Sequence, residues 1–91
     1  MKLDARILSK ILSNKELKLT ERLILFYLYK QSVLQNSEKI NTHARKIADE
    51  MGISITRTHK CIQYLTDKGY IAVEKLIHPE KNFIINFEMF S

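Results

Sequence analysis

The stretch Ile47-Ala48-Asp49-Glu50-Met51-Gly52-Ile53-Ser54 decides how this chain folds. Two short helices that cross near a right angle need a small side chain where they touch. Ala48 meets that need, since a bulkier residue would push the helix axes apart. Four residues later the backbone must turn sharply, and Gly52 reaches φ > 0 without steric cost. Ile53 plugs the inside of the turn, and Ser54 accepts hydrogen bonds from the orphan amides of the next helix. The octapeptide therefore predicts a helix ending near Met51, a tight turn, and a second helix over residues 54–68 closed by Gly69 in the left-handed region.

Upstream of this stretch, Thr42 is the expected N-cap of a helix over residues 43–51, and Lys39-Ile40-Asn41 reads as a short strand. Downstream, residues 70–76 and 83–88 are rich in β-branched and aromatic side chains and read as a hairpin. Between them His78-Pro79-Glu80-Lys81-Asn82 is turn chemistry. Toward the N-terminus, Asp4 is placed to cap a short helix over residues 5–13, with Ile7, Leu8, Ile11 and Leu12 on one face. Residues 14–19 form a turn, and Thr20 is the expected cap of a longer helix ending near Asn36. That helix carries seven consecutive apolar residues, Leu23 to Tyr29, which cover every face of two turns. Two readings fit them: a central helix packed on both sides, and a helix whose one face joins a homodimer. The expected fold is one mainly α domain with a small β-hairpin, in the order helix, helix, strand, helix, helix, strand, strand.

The helix after the turn holds the chemistry. Thr58, Cys61, Ile62 and Leu65 fall at i, i+3, i+4 and i+7 and form its inner stripe. Its outer face carries Ile55, Thr56, Arg57, His59, Lys60, Gln63 and Tyr64, and no acidic residue stands between Ile55 and Thr66. A solvated helix face mixes both signs of charge. Cationic, amide and hydroxyl groups near a helix start suit reading of the major groove.

With these residues in view, positions 42–76 resemble the winged helix-turn-helix DNA-binding domains of bacteria and phage. The likeness is carried by Ile47-Ala48, Gly52-Ile53-Ser54 and Leu65-Thr66-Asp67-Lys68-Gly69-Tyr70-Ile71. The resemblance implies a recognition helix over residues 54–68, with Ile55, Thr56, Arg57, His59, Lys60 and Gln63 at base- and phosphate-contacting positions. Arg57 departs from the pattern, standing where such domains often carry a hydroxyl residue. Thr42, Arg45 and Ser54 join the expected DNA-facing set around the turn, as does Tyr64, which either touches a sugar-phosphate or flanks the core. In the wing, Lys75 on the stem and His78 and Lys81 near the tip offer phosphate contacts. Residues 69–91 hold two basic and three acidic groups, so the wing's structural part, closing the core with Ile71, Val73, Ile85 and Phe87, is its main one.

Composition limits the alternatives. The 91 residues suffice for one domain, and 45% hydrophobic content suffices for one core. A net charge of +5 favours a polyanionic partner without singling one out. The abundance of isoleucine and lysine is the bias of AT-rich genomes. One cysteine, Cys61, excludes an internal disulfide, and its place on the inner stripe makes it a packing residue rather than a redox sensor. His43, His59 and His78 lack ligand-like spacing, so no metal is expected. With two glycines in all, a phosphate-cradling loop is excluded, and neither an enzyme activity nor a cofactor is expected. No signal sequence or membrane-length apolar run appears, which places the expected site of action in the cytoplasm.

The expected function is sequence-specific binding of double-stranded DNA by a homodimeric transcriptional regulator or repressor. Two further readings stand beside it: the DNA-binding part of a plasmid or phage replication initiator, and a winged-helix module that binds protein.

Overall fold

The computed structural model describes residues 2–90. Four helices, α1 (Ala5–Leu12), α2 (Leu19–Gln35), α3 (Ala44–Met51) and α4 (Ile55–Asp67), accompany three strands, β1 (Lys39–Thr42), β2 (Ile71–Lys75) and β3 (Lys81–Ile85). A short 3₁₀ turn, Phe87–Phe90, follows β3. The strands form one antiparallel sheet in the order β1-β3-β2. In its register Ile40 and Val73 flank Phe83 from either side, and Ile71 stands opposite Ile85. The architecture is thus mainly helical with a small antiparallel sheet, in the element order expected. No helix among the described residues is long and apolar enough to cross a membrane.

The helix α2 lies at the centre, against α1, α4, β1 and β3. Of its apolar run, Ile24, Leu25, Tyr27, Leu28 and Tyr29 are buried, while Leu23 is exposed and Phe26 half-buried. Central packing therefore accounts for most of the run. Around it the core gathers Ile11, Ile40, Ile47, Leu65, Tyr70, Ile71, Phe83, Ile85 and Phe90. Phe87 packs edge-on against Tyr29, their ring centroids 6.0 Å apart. Ala48 is buried where α3 meets α4, as a close crossing requires.

Several boundaries differ from expectation for local reasons. The strand β1 extends one residue further, through Thr42, and His43 caps α3 instead: its Nδ1 accepts the Lys46 N–H at 3.3 Å. The helix α2 starts at Leu19, before the expected Thr20 cap, because Glu21 reaches back and accepts the Lys18 N–H at 2.9 Å. Arg22 fastens the preceding turn, its Nε donating to the carbonyls of Asn14 and Leu17 at 2.7 and 2.9 Å. The strand β3 starts at Lys81, so Lys81 and Asn82 belong to the sheet and the hairpin loop is residues 76–80. On α1, Leu12 turns out to solvent while Ile11 is fully buried.

Three helices stop in the same manner. Asn36, Gly52 and Gly69 sit at φ +50°, +69° and +81°. Beyond each, an N–H bonds back to a carbonyl five residues earlier: Ser37 to Ser32, Ile53 to Ala48, and Tyr70 to Leu65. This pairing satisfies carbonyls that a helix end leaves open.

Candidate nucleic-acid interface

Ser54 opens α4 as the turn demands. Its Oγ accepts the Arg57 N–H at 3.1 Å, and its carbonyl accepts both the Thr58 N–H and the Thr58 hydroxyl. Thr58 is therefore fully buried with its hydroxyl satisfied, and with Cys61 and Leu65 it holds α4 against the core. Ile62 is half-buried beside them. Fixing these four residues inward aims Thr56, Arg57, His59, Lys60 and Gln63 outward, and all five are exposed.

Arg57 and Lys60 form no ion pair among the described residues, where ion pairs join Arg6 to Asp4 and Lys39 to Glu74. Both side chains are exposed. On one flank of α4 a groove of about 630 Å³ runs to the start of α2; Lys18, Arg57 and Lys60 line it together with one carboxylate, Glu21. Lys18 is a cation of this surface that local sequence does not reveal, since only the packing of α2 on α4 brings it there. Cys61 also borders the groove. Burial raises its thiol above the ordinary value and the Glu21 carboxylate adds to this, while Arg57 and Lys18 pull the other way.

On the other flank a smaller cleft of about 310 Å³ separates α4 from the start of α3 and the hairpin loop. His43, Arg45, Ile55, His59, His78 and Lys81 line it. Ile55 is half-buried here, so only part of its side chain is open to a partner. All three histidines of the chain meet at this cleft, although none is near another in sequence. Among the described residues no group of three or more metal-ligating side chains is arranged to hold a metal ion.

The remaining expected positions divide. Thr42 leaves the DNA-facing set: it is 4% exposed, faces inward on β1, and its Oγ1 has no hydrogen-bond partner among the described residues. The extra strand residue that passed the cap to His43 also turned this side chain into the sheet's buried face. Gln63 is exposed but engaged, its Nε2 donating to Asp67 at 2.7 Å. Tyr64 is half-buried, with its hydroxyl toward the Glu16 carbonyl at 3.4 Å and the Lys68 ammonium 5.7 Å from its ring centre. Of its two readings, flanking the core describes its place. Lys75 is exposed and borders a groove together with Glu80. At the hairpin tip stand two apolar residues, Leu76 and Ile77, the latter 90% exposed.

The face is thus an acid-poor helix surface with a cation-bearing groove on each side, and its groups come from α2, α3, α4 and the hairpin. Such a surface suits a polyanion with a repeating charge. No protein-family model, curated protein or solved structure matches this chain.

Proposed function

We propose that this chain is a winged helix-turn-helix protein that binds double-stranded DNA in a sequence-specific manner, with α4 as the recognition helix in the major groove and the β2–β3 hairpin as the wing. The observation that carries the reading is the outer face of α4. Between Ile55 and Thr66 it holds no acid, its Arg57 and Lys60 are exposed and free of ion pairs, and both flanking grooves add cations. Arg57 and Lys60 contact bases or phosphates, Thr56 and the open part of Ile55 meet thymine methyl groups, and Gln63 pairs with adenine after releasing Asp67. Ser54 and Arg45 touch the backbone. The wing adds His78 and Lys81 at the phosphates, with Lys75 further down the stem.

The protein acts as a homodimeric regulator in this reading. On the outer side of α2, Leu19, Leu23 and Leu34 are exposed and Phe26 and Val33 half-buried, all on one face at helical spacing. Two copies joined there would present recognition helices to half-sites about one helical turn apart.

Selection of bound duplexes from a random pool tests this directly. Enrichment of symmetric half-sites is the expected result, direct repeats would point to an initiator, and a pool without enrichment would sink the DNA-binding reading. Arg57→Ala and Lys60→Ala should each weaken binding. Each should also flatten the dependence of log K on log salt by about 0.9 for every phosphate that the missing cation leaves unneutralised.

A further inference from the structure

We propose that the cleft between α3, α4 and the hairpin loop seats one backbone phosphate of duplex DNA, and that His59 and His78 make this seat proton-linked, so that DNA is held more tightly as pH falls. The inference rests on the DNA-binding reading and adds a ligand and a regulating proton to one part of that surface.

The lining of the cleft carries it. Arg45 comes from the first turn of α3, His59 from α4, and His78 and Lys81 from the hairpin, with His43 at the α3 cap. No carboxylate lines this volume. The nearest in sequence, Glu80, borders the groove on the other side of the loop together with Lys75, and that groove shares His78 and Lys81. A concave site with two fixed cations, three imidazoles and no acid suits an oxyanion. Among the described residues no three or more metal-ligating side chains are arranged to hold a metal ion here.

The three imidazoles are not equivalent. His43 Nδ1 accepts the Lys46 N–H, so its ring proton sits on Nε2, and a second proton on Nδ1 would break the cap of α3. His43 therefore has its Nδ1 engaged at the cap and only its Nε2 side open to the cleft. His59 and His78 are exposed and make no hydrogen bond among the described residues, so a proton added to either breaks nothing. A phosphate in the cleft favours the imidazolium form of each, since the charged ring is the better donor to an oxyanion. Binding then takes up protons. The added affinity is present at the low end of the range where imidazoles charge, about pH 5 to 8, and is lost as pH rises through it.

The test is a titration of the full chain against a mixed-sequence duplex about two helical turns long, followed by fluorescence anisotropy at about pH 5.5 and about pH 7.5. The readout is the ratio of the two affinities. Wild type should bind on the order of ten-fold more tightly at the lower pH. The variant carrying both His59→Gln and His78→Gln should lose most of that ratio, and each single variant part of it. Arg57→Ala should bind less well at both pH values and keep the ratio. Matching thermal melts check that the variants remain folded, as expected for exposed positions. A flat wild-type response, or an equal response in the double variant, overturns the proton-linked seat and leaves DNA binding standing. Absence of duplex binding at either pH overturns both.

Discussion

Gly52 ends α3 at φ +69°, where its own N–H and that of Ile53 both donate to the Ala48 carbonyl. A β-carbon built at Gly52 meets no atom within 4 Å. Replacing Gly52 by alanine therefore creates no clash, and its whole effect is conformational. Holding an L-residue in the left-handed region costs about 1–2 kcal/mol. Alanine's smaller freedom in the unfolded chain offsets about 0.4–1 kcal/mol of this. The expected net loss is roughly 1 kcal/mol, or about 4–8 °C in Tm for a domain of this size. Gly69, at φ +81° and in equally open surroundings, predicts the same loss. The two glycines bracket the 13 residues of α4, and a helix of that length spans about 20 Å. The double variant should therefore lose the sum, about 2 kcal/mol. Asparagine, which enters the left-handed region more readily, should lose less than alanine at either position. Urea unfolding reads these differences as shifts of the midpoint at constant m. A Gly52→Ala variant as stable as wild type, or an asparagine variant less stable than the alanine one, would refute the reasoning.

Two further outcomes follow from individual side chains. Tyr27 is buried on α2 with its hydroxyl donating to Glu50 on α3, and burial first, then that hydrogen bond and the Glu50 charge, push its phenol well above its ordinary value. A raised phenol pKa stabilises the fold fully below the unfolded value of about 10 and ceases to do so as pH rises above it. Thermal melts across that range should show stability falling with pH, and Tyr27→Phe should make the fall shallower; an unchanged slope would contradict the argument. Cys61 is buried, and burial and Glu21 disfavour its thiolate. A thiol reagent at neutral pH should label the native protein at least about ten-fold more slowly than the urea-unfolded chain, because the thiolate is the reacting form; equal rates would place the thiol at the surface.

What local chemistry controls, the sequence determined by itself. The αL glycine at 52, the Ser54 cap, the inner stripe of Thr58, Cys61 and Leu65, and the element order all follow from interactions within a few residues, and each stands in the structure. Boundaries set by contacts between neighbouring elements did not follow. Thr42 reads as a cap in isolation, yet pairing of β1 with β3 carries the strand through it, buries its side chain and hands the cap to His43. Glu21 likewise moves the start of α2 by reaching back to Lys18.

The candidate interface divides along the same line. The acid-free face of α4 is periodic in a single helix, so its residues and their direction are legible from spacing alone. The grooves beside it exist only once separate elements pack. Lys18 reaches the surface because α2 lies against α4, and His43, His59 and His78 meet because the hairpin loop folds beside the α3–α4 corner. Periodicity records which side of an element faces inward, whereas the distance between groups far apart in the chain is decided by how those elements pack.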